Sequence, residues 1–119
     1  MKTPDANHPI VIARQPGRVR VVLAGETVAE SGAALRLTEA SYPPVIYIPR
    51  SDIRDAFFVA SSHTTHCPYK GDAAYFDLVV GEVRRPNAVW SYEAPFPAVA
   101  AIAGHVAFYP DRVDAIETI

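Results

Sequence analysis

One cysteine in 119 residues, no surplus of positive charge and no long apolar run are the chain's first features. A single cysteine excludes an internal disulfide framework and suits a reducing compartment. The net charge is -2 with the basic residues scattered, so the electrostatic footprint of a nucleic-acid binder is missing. The uncharged stretch from Ala94 to Val106 holds two prolines and a histidine and is too short to span a bilayer. The opening "MKTPDANHP" lacks the apolar core of a secretory signal. Gly-rich phosphate loops, H-E-x-x-H and G-x-S-x-G are all absent, and no carboxylate pair stands out as an acid/base couple. The expectation is a cytoplasmic protein without nucleic-acid or membrane partners. There is no internal repeat or linker, so residues 1–119 read as one domain, with the core from about 8 to 114.

Half of the residues are hydrophobic and a fifth are charged, the composition of a globule that can bury a core without staples. Eleven prolines cut the chain into short elements and argue against long helices. "RVRVVLA" places Val19, Val21 and Leu23 on one face and Arg18 and Arg20 on the other, a half-buried strand. Gly25-Glu26 reads as a reverse turn into "TVAES", giving a first hairpin. "ALRLTEA" alternates through Leu35 and Leu37. Pro43, Pro44 and Pro49 bracket Val45 to Ile48, long enough only for a short strand. Ser51 is expected to cap a brief helical turn, "SDIRD", and "FFVA" is a short apolar run. "AAYFDLVV" puts Ala74, Phe76, Leu78 and Val80 on a core face, and "NAVWSY" groups Ala88, Trp90 and Tyr92. "PFPAVAAIAG" is the one convincing helix, with Pro97 in its first turn and Gly104 as its stop. "HVAFY" is a strand with Val106 and Phe108 inward, while "DRVDAIETI" is ambiguous. These elements make a mainly β, antiparallel fold with one short helix, because the connections are too brief for helical crossovers.

The chemistry-bearing residues concentrate in "THCPYKG", Thr65 to Gly71. Pro68 favours an extended Cys67 and presets a reverse turn, and Gly71 can take the positive φ that ends it. Cys67 and Lys70 therefore sit at opposite ends of one tight turn. A thiolate at Cys67 would need a neighbouring cation, and Lys70, His66 and His63 are the candidates. Against that stands the habit of free cysteine to pack as a small buried hydrophobe. "HTTHC" offers His63, His66 and Cys67 as metal ligands. A fourth would have to come from elsewhere, such as His105, and His66 and Cys67 on an extended segment point to opposite faces. No metal or cofactor is expected, and His105 reads as a structural histidine.

A third reading is a pocket. Arg50 and Lys70 supply cations, while Tyr47, Trp90 and Tyr92, with Tyr69, Tyr75 and Tyr109, supply amphipathic rings. Rings give contact area and cations fix orientation, which is what an anionic or planar ligand needs.

"YPPVIYIPRSDI", "HTTHCPYKGDAAYFDL", "AVWSYEAP" and "AIAGHVAFYPDRVD", in this order from about His8 to Asp114, resemble the uncharacterised family called domain of unknown function 427. The resemblance implies a compact fold of antiparallel sheets similar to the Mss4-like or β-tent architecture. It implies that Tyr47, Arg50, Cys67, Lys70, Trp90 and Tyr92, the positions matching the family signature, gather at one side of the fold. Some members carry a nucleotidyltransferase label. This chain lacks the Gly-Ser beside a D-x-D or D-x-E pair that would hold the magnesium ions of that chemistry, and also the cysteines of an Mss4-like zinc site. The leading expectation is a small-molecule-binding domain. Arg50 and Lys70 would hold an anionic or planar ligand between Tyr47, Trp90 and Tyr92. The alternatives are a cysteine-dependent enzyme or redox protein using Cys67, and a homo-oligomeric interaction module without a small ligand.

Overall fold

The computed structural model describes all 119 residues. Ten strands form: β1 (Ile10–Arg14), β2 (Val19–Leu23), β3 (Glu26–Ser31), β4 (Leu35–Glu39) and β5 (Val45–Pro49), then β6 (Phe58–Cys67), β7 (Gly71–Val80), β8 (Val83–Ser91), β9 (His105–Phe108) and β10 (Ala115–Thr118). Seven make one antiparallel sheet in the order β1-β4-β5-β9-β8-β7-β6, and three make a second in the order β10-β2-β3. The mainly β, antiparallel reading holds. No helix is long and apolar enough to cross a membrane.

The small sheet packs on one face of the large one. Val19, Val21, Leu23, Val28 and Ala29 meet Ile48, Leu78, Val80, Val89, Val106 and Phe108 in a first core. Arg18 and Arg20 point outward and share Glu30, as the alternation of β2 requires. The first hairpin forms, but its loop is Ala24-Gly25, one residue earlier than read, with Leu23 paired to Glu26. Both loop residues take positive φ, 52° and 79°, the geometry a two-residue loop needs to match the twist of its strands.

The other face of the large sheet builds a second core from Leu37, Tyr47, Ala73, Tyr75, Tyr92, Val99, Ile102 and Ala107. Laid flat, the four steps from β4 to β7 would span about 19 Å. Yet Lys70, in the turn before β7, bonds Glu39 at the end of β4. The large sheet therefore curls on itself and encloses its second core.

Two covered faces explain where simple alternation misjudges the core. β7 buries Ala73 and Tyr75 on the inner face as well as Leu78 and Val80 on the outer. Phe76 joins the first core, whereas Ala74 belongs to neither. The register slips between Phe76 and Leu78, where two additional residues of β8 are accommodated. Asn87 takes φ 51° there, and the buried Asp77 accepts hydrogen bonds from Asn87 N at 2.8 Å and Arg84 at 2.7 Å. This bulge turns Ala88 into the first core, away from Trp90 and Tyr92 with which the sequence grouped it. In β9 Val106 and Phe108 are inward as expected, but Ala107 is buried too.

The expected helix is a 3-10 segment, Pro97–Ile102, kinked at Val99 (φ -123°). Its buried residues, Val99 and Ile102, are three apart, which is the period of a 3-10 turn. Six residues also leave few further hydrogen bonds to offset the cost of a first α-helical turn. Gly104, at φ 70°, follows its end. Ser51 lies inside a 3-10 turn, Arg50–Asp52, and caps nothing. "FFVA" opens a ten-residue strand, β6, whose polar remainder forms the exposed edge of the large sheet. "DRVDAIETI" resolves into a 3-10 turn at Pro110–Arg112 and β10.

Candidate functional site

Inside the curl, at the end closed by the β6–β7 turn, lies a hollow of about 210 Å3. Tyr47 enters it from β5 and Trp90 and Tyr92 from the β8 strand and its continuation, one strand-pitch of two residues apart. Tyr75 from β7, Tyr109 after β9 and Tyr42 before β5 complete an aromatic wall. Trp90 Nε1 donates to Tyr47 Oη at 3.2 Å, with the rings edge to face at 6.4 Å between centroids. The Trp90 and Tyr109 rings lie 4.5 Å apart. Tyr75 Oη reaches Thr65 Oγ1 at 2.9 Å and Tyr109 Oη at 3.4 Å.

Burial pushes the Tyr47 hydroxyl up to about 12, with the Trp90 hydrogen bond opposing. Tyr92 is raised too, by burial first and then by the ionisable neighbours Tyr47, Cys67, Tyr75 and Glu39. Burial and the Tyr75 hydrogen bond raise Tyr109 to about 12. The hydroxyls of all three stay protonated at neutral pH and can donate as well as accept.

Lys70 and Glu39 form the polar edge of the hollow. Lys70 N donates to Cys67 O at 3.3 Å across a three-residue loop, and Gly71 follows at φ 110°. This is the proline-driven turn expected from "THCPYKG". Phe96 N donates to Lys70 O at 3.0 Å and fixes the turn from outside. The Lys70 ammonium donates to Glu39 Oε1 and sits 6.0 Å from the centre of the Tyr92 ring. Glu39 Oε2 accepts from His8 Nε2 at 2.8 Å, and the His8 ring stacks on Tyr69 at 4.0 Å. The Glu39 side chain is 15% exposed and that of Lys70 11%. Burial alone would push the Glu39 carboxyl up, but hydrogen bonds from Lys70 and His8 outweigh it and hold the group below its usual range. The lining thus carries one cation and one anion, already paired.

Four of the six signature residues, Tyr47, Lys70, Trp90 and Tyr92, meet at the hollow. Cys67 packs against the second core without lining the hollow. Arg50 is elsewhere: it bonds Glu93 at 3.0 Å, and its guanidinium lies 4.8 Å from the centre of the Phe76 ring. Phe76 and Tyr75 alternate along β7, so Arg50 occupies the outer face while the hollow is on the inner one. The expected convergence of Arg50 with Lys70 does not form, because alternation along β5 and the 3-10 turn that follows it put Arg50 on the face opposite Tyr47.

The cations proposed to activate Cys67 are engaged with other groups. Lys70 is bonded to Glu39, His66 to Asp72 at 2.7 Å, and the His63 ring rests 4.5 Å from that of Tyr75. His66 turns outward and Cys67 inward, as an extended segment requires. No three His, Cys, Asp or Glu side chains are grouped as metal ligands. His105 Nδ1 donates to Ala103 O at 2.9 Å. Sequence reasoning missed Glu39 and His8. Glu39 reads as an ordinary polar position at the end of an alternating strand, and 31 residues separate it from Lys70.

No curated protein matches the chain. A family model matches residues 11–118, nearly the whole length, over a slightly more C-terminal span than the motifs alone suggested. The chain belongs to the family described as domain of unknown function (DUF427).

Proposed function

We propose that this domain binds a small planar molecule, largely uncharged, in the hollow among Tyr47, Trp90 and Tyr92. The observation that carries this reading is the aromatic wall with its protonated hydroxyls, closed by a paired Lys70–Glu39. Rings supply stacking area, and the hydroxyls and the salt bridge supply oriented hydrogen bonds. An apolar cavity of about 150 Å3 accommodates benzene, so about 210 Å3 suits one ring or two fused rings. The planar alternative is favoured over the anionic one because an anion would have to compete with Glu39 for Lys70. Arg50 is not at hand to replace it.

A thermal-shift panel tests the proposal. Nucleobases, phenols and other neutral heterocycles are compared with inorganic phosphate and citrate. A ligand at a hundred times its dissociation constant should stabilise the fold by about 2.7 kcal/mol. Hits should come from the neutral planar set and weaken at least tenfold in Tyr92→Phe or Tyr47→Phe. Hits confined to phosphate and citrate, or planar hits unaffected by both substitutions, would count against the proposal.

A further inference from the structure

On the far side of the same strands lies a second cavity, about 260 Å3, lined by Val21, Ile46, Ile48, Phe108, Pro110 and Ile116 among others. The two are back to back. Tyr47 of β5 and Tyr109 face the tyrosine hollow, whereas Ile46, Ile48, Phe108 and Pro110 face the second cavity. β5 and β9 pair only at Ile48↔Val106 and Pro49↔His105. Beyond these pairs the β5–β9 ladder ends, although β4 still holds β5 and β8 still holds β9. Val45 and Trp90 are common to both linings, so the two spaces meet at these side chains, beside the end of the β5–β9 ladder.

Resting on the reading of the tyrosine hollow as a ligand site, we infer that the ligand is an amphiphile. A planar polar head sits among the tyrosines. A short apolar tail passes between β5 and β9, beyond the end of their ladder, into the second cavity, displacing the Trp90 indole that both linings share. The division of polarity supports this assignment. Phenolic hydroxyls and the Lys70–Glu39 pair line one side, and the side chains named above on the other offer a tail no hydrogen-bonding group. A space larger than the roughly 150 Å3 that takes up benzene has room for a short alkyl chain or one ring.

Trp90 is the only tryptophan, so its emission reports both spaces at once. p-Cresol and 4-butylphenol share a head and differ by three methylenes. Each buried methylene contributes about fourfold in affinity, so 4-butylphenol should bind roughly fiftyfold more tightly. Ile116, on β10 and only partly buried, is the place to block the tail. In Ile116→Phe, p-cresol should bind as in the wild type and the gain should fall below about fivefold. In Ile116→Ala, which enlarges the cavity without risk of overpacking, the gain should persist and extend to 4-hexylphenol. Saturable p-cresol binding without an alkyl gain, or a gain that survives Ile116→Phe in folded protein, overturns the tail assignment alone. Absence of any saturable Trp90 response to p-cresol overturns the tyrosine-hollow reading and the tail assignment with it.

Discussion

Replacing Lys70 by methionine removes the ammonium that closes the hollow while keeping most of the side-chain volume. Glu39 would then remain 15% exposed with His8 as its one remaining partner. Removing one member of a buried ion pair costs about 3–5 kcal/mol. This pair retains some solvent and the His8 contact, so a loss of about 2 kcal/mol is expected at pH 7. At about 4 °C per kcal/mol for a chain of this size, the melting temperature should fall by about 8 °C. The folded-state pKa of Glu39 lies below the usual value, so its contribution is complete above the unfolded carboxylate pKa of about 4.3. That contribution is lost as pH falls through the lowered folded value. The deficit of Lys70→Met should accordingly shrink as pH falls through that lowered value, where Glu39 takes up a proton even beside its partner. Glu39→Gln/Lys70→Met, which leaves no unpaired charge, should lie within about 1 kcal/mol of wild type. Urea denaturation followed by circular dichroism across this range decides the matter. A Lys70→Met protein as stable as wild type at pH 7, or a deficit that grows as the solution is acidified below the usual carboxylate range, would refute the clasp.

Tyr47 and Tyr109 are raised to about 12, and Tyr92 is raised as well. The unfolded chain therefore ionises first, and stability should be intact below pH 10 and fall as pH rises from there towards 12. Absorbance at 295 nm should show these three of the six tyrosines ionising late or together with unfolding. Leu78→Ala, at a site with no exposed surface, should cost about 2–5 kcal/mol in urea denaturation, whereas the exposed Tyr42→Ala should cost under 0.5. Gly71→Ala should cost about 1–3 kcal/mol, because φ of 110° strains any side chain-bearing residue. Cys67 should react with a thiol reagent more slowly than free cysteine in the native state and at the full rate in denaturant.

Much of the fold was legible because β2 and β4 alternate simply and prolines bracket β5. The hollow's aromatic wall was legible as well: Tyr47, Trp90, Tyr92, Tyr75 and Tyr109 were all noted as amphipathic rings, although Tyr69 stacks on His8 instead. What escaped depends on long-range geometry. The bulge at Asp77 reassigns Ala88, and its one local trace is Pro86-Asn87, a proline inside a strand beside a residue type that tolerates positive φ. The curl that brings Glu39 to Lys70 is a property of seven strands together, so neither hairpin carries its signature. Arg50 lay close in sequence to Tyr47, and strand alternation plus a 3-10 turn sent it to the opposite face. In "PFPAVAAIAG" alanine content argued for an α-helix, but the two buried residues set a period of three.

Titration of p-cresol and of inorganic phosphate against the emission of Trp90, in wild type and Tyr92→Phe, tests the ligand site most directly. A saturable change with p-cresol, weakened at least tenfold in Tyr92→Phe and absent with phosphate, is the expected result. A response to phosphate alone, or a p-cresol response unchanged by Tyr92→Phe, would contradict the planar ligand site.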